Sequence, residues 1–131
     1  MQRRHLMRTI PGAGLLLAGC AWFAPTDRPL PVVFFSESSA SLDSAAREVI
    51  AEAANLARRY PLQPVRVLSY VSPAGAPAAN RELAEARARA VADALIAAGV
   101  PADRIRVEPR GAVSYAAMPT ESRRVEIRIG T

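Results

Sequence analysis

The chain is predicted to fold as an α+β two-layer sandwich, with elements in the order β-α-β-α-β-β and one four-stranded sheet carrying two helices on one face. Three observations predict it. Two long segments repeat their apolar residues at helical spacing. Two late segments alternate apolar with charged residues, the mark of strands with one covered face. Proline and glycine clusters punctuate the chain between them, where turns are needed.

Val32-Val33-Phe34-Phe35 is a compact apolar run fit for a buried strand, and the serine-rich stretch 36–41 after it is a loop. Residues 42–60 then place Leu42, Ala46, Val49, Ile50, Ala53, Leu56, Ala57 and Tyr60 at helical spacing, and Pro61 ends the run. Residues 65–71 form the second strand. A loop with Pro73, Gly75 and Pro77 leads to a second helix over residues 80–98, closed by Gly99-Val100-Pro101, a glycine C-cap with a trailing proline. In the last two strands Ile105 and Val107 alternate with Arg104, Arg106 and Glu108, and Val125, Ile127 and Ile129 alternate with Arg124, Glu126 and Arg128. One apolar and one polar face call for a single sheet covered on one side by the two helices.

On a helical wheel of the second helix, Leu83, Ala86, Ala90, Val91, Ala94 and Ala98 form one stripe, with Arg81, Glu82, Glu85, Arg89 and Asp93 opposite. Arg87 breaks the pattern, because it falls inside the apolar stripe one turn after Leu83 and one before Val91. A guanidinium there must snorkel, meet an internal carboxylate, or point into a polar pocket at the helix N-terminal end. Two roles follow: an arginine paired within the fold, or one whose planar fork binds a carboxylate. Glu85 and Arg89 form an exposed i, i+4 pair worth a few tenths of a kcal/mol and carry no functional reading.

Composition limits the chemistry. The only cysteine is Cys20 and the only histidine His5, so histidine and thiol catalysis are excluded from the downstream domain, as are zinc sites built on those ligands. There is no nucleophile with a base, no metal-ligand cluster and no glycine-rich phosphate loop, so neither an enzyme nor a cofactor is expected. The formal charge of +5 resembles a nucleic-acid signal at first sight. Setting aside Arg3, Arg4 and Arg8 leaves 14 of the 17 basic residues against 12 acids, or +2, and these alternate along elements as on a solvated mixed surface. Nucleic acid is therefore not an expected partner.

The N-terminus has its own grammar: basic Arg3, Arg4 and Arg8, an apolar stretch over 10–18 too short to span a bilayer, and small residues at Ala18-Gly19. An ordinary secretory signal also ends in small residues. The run Leu17-Ala18-Gly19-Cys20, however, resembles the bacterial lipobox, in which the cysteine sulfur receives a diacylglycerol and cleavage follows just ahead of it. That resemblance implies a signal peptide over 1–19, a lipid anchor at Cys20 and a proline-rich tether over 20–31 containing Pro25, Pro29 and Pro31. Each acyl methylene adds about 0.8 kcal/mol of membrane affinity, so several chains on one residue hold it almost permanently. From Ala24 on, the tether reaches only about 25–30 Å if polyproline-like, which keeps the domain close to its membrane. Ala21 after the cysteine, with no aspartate there, resembles the pattern sorted to the outer membrane. Radioactive fatty acid is expected to label the chain, and label persisting in Cys20→Ser would refute the anchor.

From residue 32 to the end, three ordered motifs resemble the OmpA-like domain: Asn80-x-x-Leu83-x-x-x-Arg87-Ala88-x-x-Val91, then Ala98-Gly99-Val100-Pro101-Ala102-Asp103-Arg104-Ile105, then Arg123-Arg124-Val125-Glu126-Ile127. The resemblance implies a mixed sheet over residues 32–131. It also implies non-covalent binding of the peptide stem of peptidoglycan, with meso-diaminopimelate held between an aspartate and an arginine. The family arginine falls on Arg87. The aspartate does not carry over: the family loop runs approximately Gly-His-x-Asp-x-x-Gly, and Ser69-Tyr70-Val71-Ser72-Pro73-Ala74-Gly75 puts Ser72 where the acid belongs. The first loop departs too, with Ser36, Glu37 and Ser38 where relatives often place aspartates and an aromatic. The expected binding residues are therefore Arg87, Asn80 and Ser72, with Glu37 supplying the missing charge from the neighbouring loop. The expected function is that of an outer-membrane lipoprotein, its domain facing the periplasm and tethering membrane to cell wall. The alternative is an envelope module that binds other envelope proteins and has a degenerate peptidoglycan site.

Overall fold

The computed structural model describes residues 30–113 and 119–130. Cys20, the segment 1–19 and all but the last two residues of the 20–31 tether lie outside the described residues. The elements are β1 (Val32–Phe34), α1 (Ser44–Arg59), β2 (Val65–Val71), α2 (Pro77–Ala97), β3 (Ile105–Ala112) and β4 (Arg124–Ile129), with 3-10 turns at Ala102–Arg104 and Pro119–Arg123. The sheet runs β1-β4-β2-β3. β4 is antiparallel to both of its neighbours and β2 is parallel to β3, so the sheet is mixed and the last strand lies between the first two. The fold class read from the sequence is the fold observed.

Register explains which residues face the helices. Val65, Val67 and Ser69 pair with Ile129, Ile127 and Val125, and Val33 pairs with Val125. Partners in register share a face. This one joins Ala46, Ile50, Ala53 and Ala57 of α1 and Ala88, Val91 and Leu95 of α2 in one buried cluster. Most of its members are alanine or valine, so few side chains of any size hold it together.

The helix ends follow from local chemistry. Asp43 caps α1, its carboxylate accepting from the Ala46 N–H at 2.7 Å. α2 starts at Pro77, three residues before the expected start, because proline suits the first helical turn, where its missing N–H has no partner to lose. At its other end Gly99 adopts φ +98°, Gly99 N donates to Ile96 O and Val100 N to Leu95 O, both at 3.0 Å. This is a Schellman closure, and Val100 and Leu95 complete it inside the core. Two arginines then cap across elements. Arg58 of α1 donates to Ala98 O beyond α2. Arg104 donates to Ala57 O at 2.9 Å and to Tyr60 O at 2.8 Å beyond α1, and its Nε and Nη2 both reach Gln63 O.

Three expectations need correction. β1 is a three-residue edge strand and not a buried one: Val33 and Phe35 turn inward while Phe34 is 56% exposed, since only one face of an edge strand is covered. Val107 faces the helix layer from β3 yet is 48% exposed, because β3 is an edge strand with no neighbour on its outer side. On α2 the buried positions are Ala84, Arg87, Ala88, Val91, Ala92 and Leu95, which turns the apolar stripe by about a quarter of the helix circumference from the wheel reading. Alanines lie on nearly every side of this helix, so the wheel had little contrast to work with.

The uncovered face of the sheet is a lattice of ion pairs. Glu108 accepts from Arg66 Nε at 2.9 Å and Nη2 at 2.7 Å, and Glu126 receives both Arg124 and Arg128 at 3.2 Å. The Arg66 hydrogen bonds hold the Glu108 carboxyl below its ordinary range. Leu68 lies between Glu108 and Glu126 in register and is fully buried without a helix over it.

Candidate functional site

A cleft of about 630 Å³ opens beyond the C-terminal end of β2, lined by residues of the 36–41 loop, the β2–α2 loop, the first half of α2 and the 3-10 turn before β4. Its position follows from topology, since the loops at a strand's carboxyl end and the following helix N-terminus splay around a space that no regular element fills. Glu37, Ser72, Asn80 and Arg87 all line it, so the structure brings the four sequence-predicted positions together.

Each is placed by a specific local device. Ser72 Oγ accepts from Ala74 N at 3.2 Å, a side-chain turn that shapes the loop as an aspartate would while carrying no charge. Asn80, on the first turns of α2, donates through Nδ2 to Ser72 O at 3.3 Å and to Ala74 O, tying that loop to the helix. Glu37 stands on an exposed turn closed by Ser39 N donating to Ser36 O at 3.2 Å. Next to it Ser38 holds φ 56°, a left-handed conformation uncommon for a residue with a Cβ.

Arg87 is 4% exposed. Its Nε donates to Ser39 O at 2.8 Å, Nη2 to Ser36 O at 3.0 Å and Nη1 to Ser122 O at 3.4 Å. Its guanidinium carbon sits 5.4 Å from the centroid of the Phe35 ring. Of the readings open at the sequence level, the arginine is paired within the fold, but with three backbone carbonyls of two loops and with no carboxylate among the described residues. It is also on the cleft. The same side chain therefore clamps both loops to α2 and presents positive charge at their junction. Burial, and then the charge of Arg123, push its pKa below the usual arginine value; a guanidinium nonetheless stays protonated.

Arg123 was missed as a site residue. It ends the 3-10 turn and lines the cleft, and its Nε is buried without a hydrogen-bond partner. A signal was present in strand alternation: Arg124 belongs to the open face with Glu126 and Arg128, so its neighbour Arg123 must point to the other side. Ser122 and Leu83 also line the cleft. Among the described residues no group of acids, histidines or cysteines could hold a metal ion.

Known proteins resemble this chain in sequence and in fold. The probable lipoprotein YiaD of Escherichia coli (strain K12) is 36% identical to the chain over 103 residues, covering 74% of the chain and 47% of that protein, so the chain spans about half of YiaD's length. The peptidoglycan-associated lipoprotein from Burkholderia pseudomallei superposes with TM-score 0.67 at 20% identity, over 75% of this chain and 88% of that one. The OmpA-like domain of FopA1 from Francisella tularensis gives TM-score 0.64 at 22% identity, over 76% and 74%. These two likenesses concern the fold. A model of the OmpA family matches residues 34–127, a stretch containing both helices and every cleft residue named above, and the chain belongs to that family.

Proposed function

We propose that the chain is a non-catalytic envelope lipoprotein, held in the outer membrane by lipid on Cys20, whose OmpA-like domain faces the periplasm and associates non-covalently with the peptide stem of peptidoglycan. The observation that carries this is the gathering of Arg87, Asn80, Ser72 and Glu37 around one open cleft in an OmpA-family domain. The likeness to the probable lipoprotein YiaD and to a peptidoglycan-associated lipoprotein supports the same reading. In it Arg87 and Asn80 fix the walls of the cleft, Ser72 shapes its floor loop, and a stem peptide enters from the open side.

Pelleting with purified sacculi tests it. The full chain in mild non-ionic detergent is expected to sediment with sacculi, to stay in the supernatant without them, and to be released by excess soluble stem peptide. Failure to sediment sinks the proposal. Sedimentation gained only in Ser72→Asp would sink it too and would favour an envelope module that binds other proteins through a degenerate site, the reading that Ser72 in the acid's place would then support.

A further inference from the structure

The cleft is built with an excess of positive charge. Arg87 and Arg123 both line it, close enough for the charge of one to act on the other. The ion pairs among the described residues involve neither. Three of the five Arg87 N–H groups go to neutral carbonyls, and Arg123 Nε is buried with no acceptor at all. The first turn of α2 adds positive potential, since it has neither a capping side chain nor an acid. Against this stands one carboxylate, Glu37, on an exposed turn at the rim. A buried cation held by neutral carbonyls and one aromatic ring, beside a second with an unmatched donor, is an electrostatic deficit that an anion relieves. Ser72 keeps the loop shape and contributes no charge for an ammonium group.

We propose that the cleft recognises its ligand through a carboxylate alone: the Arg87–Arg123 pair holds a carboxylate of the stem peptide, a ligand ammonium adds nothing, and the ligand class is a carboxylate whether or not it carries an amine. This rests on the reading of the cleft as the murein-contacting site. It assigns Glu37 the role of moderating positive charge and not of binding an amine.

Three small probes separate the groups: meso-diaminopimelate carries both, pimelate keeps only the carboxylates, and 1,5-diaminopentane keeps only the amines. Each is titrated into the full chain in micelles, with the arginine Nε–Hε resonances as the readout. Diaminopimelate and pimelate are expected to shift the same signals with dissociation constants within about threefold, and the diamine to shift none. Arg123→Gln should weaken pimelate by at least about tenfold with the melting temperature unchanged. Glu37→Gln should strengthen pimelate and leave diaminopimelate no weaker. Ser72→Asp should create a preference of about tenfold or more for diaminopimelate over pimelate.

Binding of diaminopimelate but not pimelate in the unmodified chain overturns the inference, as does a Glu37→Gln variant that loses diaminopimelate or an Arg123→Gln variant that binds pimelate unchanged. If sacculi pellet the protein and no probe binds, the inference fails and the murein reading stands. If pimelate binds and sacculi do not pellet the protein, the anion site stands and the murein reading fails.

Discussion

Arg87→Ala is expected to destabilise the domain by about 3–5 kcal/mol, a large share of the roughly 5–15 kcal/mol that holds a domain of this size. The loss comes from what the arginine leaves behind. The carbonyls of Ser36, Ser39 and Ser122 each lose a charged donor, and a buried acceptor left unsatisfied costs about 1–3 kcal/mol, partly offset where water enters from the cleft. The two loops that carry Glu37 and Ser122 lose their common anchor, so sacculus binding is expected to fall with stability. Arg87→Lys should recover the charge and, at best, part of the stability, because an ammonium cannot reproduce a planar fork spread over three carbonyls. Urea unfolding of the full chain measures both variants. A loss under about 1 kcal/mol in Arg87→Ala would show that the clamp contributes little, since that is the range of a single ordinary hydrogen bond.

Arg87 also shows how far sequence reading reaches. Its place in an apolar stripe announced a buried or pocket-facing cation, and the structure has it both buried and on the cleft. Its partners were illegible. Carbonyls of Ser36 and Ser39 lie about fifty residues away in the chain, and no residue type marks a backbone oxygen as an acceptor. The cleft members Ser72 and Glu37 were legible because a family loop pattern placed them, whereas the Arg123-Arg124 pair of the last motif does not by itself mark which of the two faces the cleft. The strands could be read because apolar and charged residues alternate with high contrast in β4. The face of α2 could not, since alanine fits both a core and a surface and gives a wheel no direction. Likewise, the caps by Arg58 and Arg104 join elements only the folded chain brings together.

The two leucines of α2 turn that ambiguity into a measurement. A wheel centred on Leu83 makes it a core residue, while the fold puts Leu83 on the cleft wall, partly buried, and seals Leu95 completely. Among the fully buried side chains of the described residues, only Leu68, Leu95 and Ile127 are larger than valine, and Leu68 lies on the opposite face of the sheet. Leu95 and Ile127 are, with Ile50 and Phe35, the larger side chains between sheet and helices, and Leu95 additionally meets Val100 at the Schellman closure. Leu95→Ala is expected to lower stability by about 3–5 kcal/mol, the range for a leucine deleted from a core that cannot collapse around the void. Leu83→Ala should lose only about 1 kcal/mol, in proportion to the apolar surface it hides, and should widen the cleft. Alanine is the strongest helix former, so neither substitution weakens the helix itself and the difference reports packing. Equal losses from the two variants in urea unfolding, at an unchanged denaturant slope, would refute the assignment of the buried face.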